Sequence, residues 1–150
     1  MDVLERILTT LAQEFSDLGQ VEHITRATLR LILAMFLGGL LGYEREVMGK
    51  AAGMRTHMLV CLGAAIFVMA LEQDGAEADA MSRVIQGIAA GVGFLGAGTI
   101  LKGQNISDVK GLTTAAGLWA SAAIGVAVGL GREATACLLY TSPSPRDGLL

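Results

Sequence analysis

Cysteine and proline are almost absent from the first 136 residues of this 150-residue chain. Cys61 is the only cysteine in that part, and both prolines come after residue 137. One thiol cannot form a framework of disulfides, and a lone cysteine inside an apolar stretch usually packs as a small hydrophobic side chain. The sequence therefore does not indicate a disulfide-stabilised domain.

Charge is scarce as well, since only 17% of the residues are charged and long stretches contain none. Residues 84–101 are an uncharged run of eighteen, and a helix of that length spans roughly 27 Å, close to the ~30 Å hydrocarbon core of a bilayer. Residues 112–130 are a second uncharged run, and residues 57–71 a shorter third. Residues 28–43 are a fourth, interrupted only by Arg30, whose long side chain we expect to reach the membrane interface. With a mean hydropathy of +0.56, the four runs predict an all-α membrane protein, a polytopic bundle of four spanning helices.

Glycine is concentrated in the same apolar runs. Because lipid tails are as apolar as leucine, membrane helices associate through close contact of their backbones, which small residues permit. We therefore predict helix packing at the small residues of three runs. These residues are Gly38 and Gly42 in the run 28–43, Gly87, Gly91, Gly93, Gly96 and Gly98 in the run 84–101, and Gly117, Ser121, Gly125 and Gly129 in the run 112–130. Two interpretations stay open, namely packing within one bundle and the contact face of a homodimer.

The two ends of the chain differ from its middle. Apolar residues recur at helical spacing within residues 1–22, which predicts an amphipathic helix on the membrane surface or against the bundle. Residues 23–136 contain the predicted transmembrane domain. Residues 137–150 hold both prolines and resemble one reading frame of a sequencing adapter, so we expect a non-native tail there. Residues 133–136 are then expected to begin a fifth span, which this tail truncates.

Loop charges predict the orientation in the membrane. The loops 44–56 and 102–111 are basic, with Arg45, Lys50, Arg55, Lys102 and Lys110. The loop 72–83 is acidic, with Glu72, Asp74, Glu77 and Asp79 against Arg83. The positive-inside rule places the two basic loops in the cytoplasm, and the acidic loop and the N-terminus outside. Arg26 and Arg30 argue weakly the other way, because they lie at the outer end of the first span.

Polar side chains are concentrated at the predicted cytoplasmic end. They form one candidate functional cluster, whose members are Glu44, Arg45, Glu46, Arg55, His57, Asp108 and Lys110. Carboxylates beside arginines favour a structural ion-pair lock, in which we expect Arg55 to fold back onto the preceding helix end. The carboxylates also suit Mg²⁺, although each arginine opposes a divalent cation at close range. A docking surface for a partner protein is the third interpretation.

Several chemical signatures are missing from the sequence. No run contains Asp, Glu or Lys in its middle, where ion pathways usually need such groups. No Ser/His/Asp or Cys/His set and no HExxH motif appears, so we expect no enzyme, no metal site and no cofactor. A net charge of −3, a pI of 5.3 and the lack of a basic stripe argue against nucleic acid as a partner.

Four short motifs occur in order between about residues 26 and 131. They are GYERE at 42–46, AGMRTH at 52–57, GFLGAG at 93–98, and VKGLTTAA at 109–116 followed by Leu118 and Trp119. Together they resemble the MgtC/SapB family. Members of that family are multi-pass proteins of the bacterial inner membrane, associated with growth at low magnesium and with virulence through survival inside host macrophages.

The resemblance implies a non-enzymatic regulator of membrane physiology that contacts other membrane proteins. The alternative is a transporter or channel for Mg²⁺ or another small solute. Lack of intramembrane charge favours the first, because a path for ions usually needs such groups.

Overall fold

The computed structural model describes residues 2–16, 20–73, 75–102 and 109–141. Six helices lie within these ranges: α1 Val3–Glu14, α2 Val21–Val47, α3 Met54–Gln73, α4 Ala78–Thr99, α5 Leu112–Gly129 and α6 Glu133–Thr141. Four of them, α2 to α5, are long and apolar enough to cross a membrane. The predicted all-α polytopic bundle with four spans is therefore confirmed.

One junction departs from the predicted spans. The uncharged run 84–101 does not stay helical to its end, because α4 stops at Thr99 and residue Ile100 is extended. Two short strands follow, β1 Leu101–Lys102 and β2 Val109–Lys110, which pair antiparallel. Gly111 then starts α5 at φ +99°, where a side chain would collide with the Thr99 carbonyl. This glycine is needed because only a residue without Cβ adopts that conformation at so close an approach.

Helix α5 is the centre of the bundle and packs against α2, α3, α4 and α6. Ten of its residues are buried, most of them Ala, Gly or Ser, because small side chains let the neighbouring backbones come close. One buried apolar cluster joins α2, α3, α5 and α6 around Ala34, Cys61 and Ile124. A second joins α3, α4 and α5 around Ala64, Val92 and Ala122. Helix α4 has its buried residues on one side only, at Val92 and Gly96.

Helix α1 has the amphipathic character that the sequence predicts. The Asp2 side chain accepts a hydrogen bond from the Val3 amide at 3.1 Å and so caps the helix. Its apolar residues are exposed, including Val3, Leu4, Ile7 and Leu8. An exposed apolar face of this kind suits a helix that lies in the plane of a membrane surface.

The last helix crosses the predicted end of the native chain. Helix α6 begins at Glu133, where the fifth span was expected, and continues to Thr141. Its Ala136 is fully buried and Tyr140 packs partly against the same core. The predicted boundary at residue 137 thus lies inside a continuous helix, and the assignment of 137–150 as a non-native tail stays a prediction.

The orientation is a further prediction with a direct test. The end of α2 and the start of α3 lie at the same end of the bundle as the start of α5. We expect Lys50→Cys to resist a membrane-impermeant thiol reagent added to intact cells, and Glu77→Cys to react with it. Both variants need a Cys137→Ser background, because Cys137 is exposed whereas Cys61 is buried. Labelling at position 50 from outside would reverse the assigned orientation.

Candidate functional site: a buried Arg–His pair at the basic end

Two glycines bring the end of α2 against the start of α3. A Cβ on Gly42 would lie 2.5 Å from the Met54 Cα, and one on Gly38 would lie 2.8 Å from the His57 carbonyl oxygen. The helices therefore meet backbone to backbone along this edge, as the GxxxG spacing predicts for membrane helices. The contact fixes where the polar side chains of the two helix ends can go.

Arg45 and His57 point into the bundle from these two helix ends. Arg45 is 6% exposed and His57 is fully buried. The His57 Nδ1 lies 2.9 Å from the Gly53 carbonyl oxygen. A carbonyl only accepts, so this ring nitrogen carries a hydrogen and donates it. The other ring nitrogen, Nε2, and the Nε of Arg45 are buried and have no hydrogen-bond partner among the described residues.

Both unpartnered nitrogens face the same glycine of α5. A Cβ built on Gly117 would lie 3.2 Å from His57 Nε2 and 3.7 Å from Arg45 Nε. Gly117 therefore lets α5 approach both side chains closely, because even a Cβ at that position would press against the imidazole of His57. The sequence predicted Arg45 and His57 in one cluster and Gly117 in a packing face, and the structure brings the three together.

The predicted ion-pair lock across the loop 44–56 has a different form. Among the described residues no arginine pairs with Glu46, whose Oε2 instead accepts a hydrogen bond from the Met54 amide at 2.9 Å and caps α3. Gly53 permits this, because a Cβ there would lie 2.8 Å from the same oxygen. Arg55 is exposed and forms no ion pair with a carboxylate of the described residues. The expectation that Arg55 folds back onto α2 was wrong, because the carboxylate that closes the loop binds the backbone instead.

The other members of the predicted cluster are less informative. Glu44 is half-buried and Lys110 is exposed. Asp108 lies outside the described residues. In the part of the chain that the structure describes, no group of three or more His, Cys, Asp or Glu side chains is placed to hold a metal ion.

A second polar centre, at the opposite end of the bundle, was missed by the sequence analysis. Arg30 is 8% exposed, and its side chain is enclosed by the ends of neighbouring helices. Its Nη1 donates to Glu72 Oε2 at 2.5 Å and to the Gly129 carbonyl oxygen at 2.9 Å, and its Nε lies 3.7 Å from Glu133 Oε1. The guanidinium thus joins α2 to α3, α5 and α6. Gly131, at φ +72°, makes room for it, because a Cβ there would collide with Nη2.

The predicted glycine contacts divide into two groups. Small residues of α5 touch α3 closely. A Cβ on Gly129 would lie 2.8 Å from the Ala65 carbonyl oxygen, and a Cβ on Gly125 would collide with the Cys61 carbonyl oxygen. Ser121 is buried and bonds back to the Gly117 carbonyl at 3.1 Å, and Gly96 of α4 faces Ala115. At four other predicted positions, no described atom outside the local helix backbone lies within 4 Å of a Cβ: Gly87, Gly91, Gly93 and Gly98. For these four the prediction of packing within one chain was wrong, because α4 touches the bundle only through its Val92 and Gly96 side.

The open side of α4 forms a groove with α3. Its volume is about 620 Å³, and its lining is apolar, with Gly63, Gly87 and Gly91 among bulkier residues such as Phe67 and Leu95. Helix α6 packs on α5 and α2 and leaves this groove uncovered.

Comparison with known proteins identifies the chain. The sequence profile of the MgtC family matches residues 31–142. Protein SrpB of Synechococcus elongatus is 47% identical over 115 residues, which cover 69% of this chain and 63% of SrpB. Protein MgtC of Salmonella typhimurium is 48% identical over 105 residues, which cover 69% of this chain and 43% of MgtC. The putative magnesium transporter YhiD of Escherichia coli K12 is 43% identical over 111 residues, which cover 69% of this chain and 50% of YhiD.

The chain thus spans between 43% and 63% of the length of these relatives. No solved structure matches it. The family match and the four spanning helices make it a multi-pass protein of the bacterial inner membrane. The chain belongs to the MgtC family.

Proposed function

We propose that this protein is a non-enzymatic regulator that supports adaptation to low magnesium and survival inside host cells, and that it acts by contact with other membrane proteins. Its relatives support the link to magnesium, since one of them carries the name of a putative magnesium transporter. The proposal differs from that name in one respect: this chain regulates and does not itself carry the ion.

The packing of the middle of the bundle carries this proposal. The two polar centres lie at opposite ends, one around Arg30 and one around Arg45 and His57. The buried residues between them along α2, α3 and α5 are apolar except for Ser121, whose hydroxyl bonds to the Gly117 carbonyl. They include Ala34, Leu37, Cys61, Ala65 and Ile124, each at most 3% exposed. A hydrated cation would have to cross this layer with almost no polar side chains of the described residues as ligands, and losing its hydration there is costly.

The α3–α4 groove is the surface that fits a partner in this proposal. Its floor exposes helix backbone at Gly63, Gly87 and Gly91, where a close helix contact gains van der Waals energy that lipid tails do not supply as well. Its lining is apolar along the spanning parts of both helices, so its occupant is a transmembrane helix of another protein. Helix α6 of the same chain packs against α5 and α2, so it does not occupy the groove.

A flux measurement tests the regulator against the carrier. The full chain is reconstituted into liposomes that enclose a fluorescent Mg²⁺ indicator, and a Mg²⁺ gradient is applied. We expect influx equal to that of protein-free liposomes, with an added ionophore showing that the indicator responds. Saturable influx that depends on the protein would overturn the regulator in favour of the transporter.

A pair of leucine variants tests the groove. Gly91→Leu fills it, whereas Gly93→Leu places the same side chain two residues further along, on another side of α4 that also has open space. We expect both variants to accumulate in the membrane, and only Gly91→Leu to lose the ability to restore growth at low magnesium in a strain without its own family member. Equal growth of the two strains would contradict the assignment. Disulfide cross-linking between two copies carrying Gly91→Cys would instead make the groove a homodimer face.

A further inference from the structure

Helix α1 has an apolar face that stays exposed in the structure. No residue of α1 is buried among the described residues. Six apolar side chains of α1 and its C-cap are each at least half exposed, and at about 3.6 residues per turn they fall within an arc of roughly 140°. They are Val3, Leu4, Ile7, Leu8, Leu11 and Phe15. Contact of so wide an apolar face with water is unfavourable, so the folded helix needs an apolar surface to cover it.

The chain itself holds this face beside a membrane. Helix α2 has 27 residues and is roughly 40 Å long, whereas the hydrocarbon core is only ~30 Å thick, so the ends of α2 lie in the headgroup layers. Val21 begins α2 six residues after Phe15, and six residues of chain reach at most about 20 Å. The end of α1 is therefore held within about 20 Å of a leaflet, which is the largest apolar surface in its reach.

The charges of α1 decide which headgroups suit it. The side chains of α1 and its N-cap carry three carboxylates, Asp2, Glu5 and Glu14, against one guanidinium, Arg6, which gives a net charge of −2. Surface helices that bind anionic leaflets are rich in Lys and Arg on their polar faces, because basic side chains are attracted to the negative surface. The reverse balance in α1 is repelled by such a surface, whereas burial of the apolar face is equally favourable in any lipid. We propose that α1 is a membrane-surface anchor that is selective for zwitterionic headgroups, such as phosphatidylcholine and phosphatidylethanolamine, over anionic ones.

Nitroxide labels on the full chain test the anchor. A single cysteine replaces Leu11, on the apolar face, or Gln13, on the opposite face, in a Cys137→Ser background in which the remaining Cys61 is buried. The proteins are placed in lipid nanodiscs, which leave both leaflets open to dissolved reagents. In phosphatidylcholine we expect the Leu11→Cys label to collide mainly with oxygen, which dissolves in lipid, and the Gln13→Cys label mainly with a water-soluble nickel chelate.

The headgroup selectivity has a measurement of its own. In phosphatidylglycerol at low salt, the ratio of lipid-embedded to water-exposed label at residue 11 should be at least about tenfold lower than in phosphatidylcholine, because two excess negative charges meet a negative surface potential. Added salt should restore the ratio, since screening weakens the repulsion, whereas a basic helix would detach. The double variant Glu5→Gln, Glu14→Gln is the matched control, because it removes the excess negative charge without changing the apolar face. Its label should be embedded equally in the two lipids.

The proposal fails on any of four results. Exposure of both labels to the nickel chelate in phosphatidylcholine would place α1 in water. Protection of the Leu11→Cys label from both reagents would mean that protein, from this bundle or another chain, covers the apolar face. Equal embedding of the unaltered helix in the two lipids would exclude headgroup selectivity, and an undiminished loss in the charge-neutralised double variant would exclude its electrostatic cause.

Discussion

Replacing Gly125 by leucine is expected to destabilise the bundle by about 3 kcal/mol, the upper end of the usual cost of overpacking. Gly125 lies on the central helix α5, and even a Cβ there would collide with the carbonyl oxygen of Cys61 and lie 2.9 Å from the Ala64 Cβ. Backbone atoms cannot move aside as the end of a flexible side chain can. The two helices therefore have to separate, and the cluster around Cys61 and Ile124 loses its packing.

The matched control is the same substitution on the outer helix. Gly91 has no atom within 4 Å of a Cβ, so Gly91→Leu should leave the unfolding midpoint in detergent within about 1 °C of wild type. Chemical unfolding in mixed micelles gives both free energies on one scale. Equal losses for the two variants would mean that α4 packs more tightly in the membrane than it does in this structure.

These two glycines show what the sequence could and could not predict. Long uncharged runs identify spanning helices because a charge is costly in hydrocarbon, so α2 to α5 could be found without a structure. Glycine spacing identifies a face on which close packing is allowed. It does not say which helix is central, because that depends on how all the helices are arranged. Gly125 and Gly91 look alike in sequence, and only the position of α5 between its neighbours separates them.

The candidate site was predictable to a similar degree. Arg45 and His57 flank a short loop between two spans, so their nearness follows from chain connectivity. Their partners do not follow, because a carboxylate next to an arginine in sequence can bind a backbone amide instead, as Glu46 does at Met54. The partners of Arg30 come from as far as Gly129, ninety-nine residues away, and no local pattern encodes such a contact.

Arg30→Gln is expected to cost about 2 kcal/mol of stability. The substitution removes a charged donor from the Gly129 carbonyl and from Glu72, and hydrogen bonds to charged groups contribute about 1.5–3 kcal/mol. The side chains of Glu72 and Glu133 are 44% and 41% exposed, so water can solvate both once the arginine is gone. This exposure keeps the expected loss well below that of an ion pair broken in a dry core.

Arg26→Gln is the matched control, because it makes the same change of charge one turn earlier on α2, at an exposed side chain. The unfolding midpoint should fall by about 4 °C for Arg30→Gln and stay nearly constant for Arg26→Gln. Gly131→Ala should resemble Arg30→Gln, since its methyl displaces the guanidinium and also forces an alanine to φ +72°.

Raising the salt concentration separates the two stabilising contacts of Arg30, the ion pairs with carboxylates and the hydrogen bond to a carbonyl. Screening weakens attraction to the half-exposed carboxylates, whereas the bond to the buried Gly129 carbonyl persists. A loss of stability for Arg26→Gln as large as that for Arg30→Gln would mean that net charge at this end of the bundle, and not the Arg30 contacts, stabilises the fold.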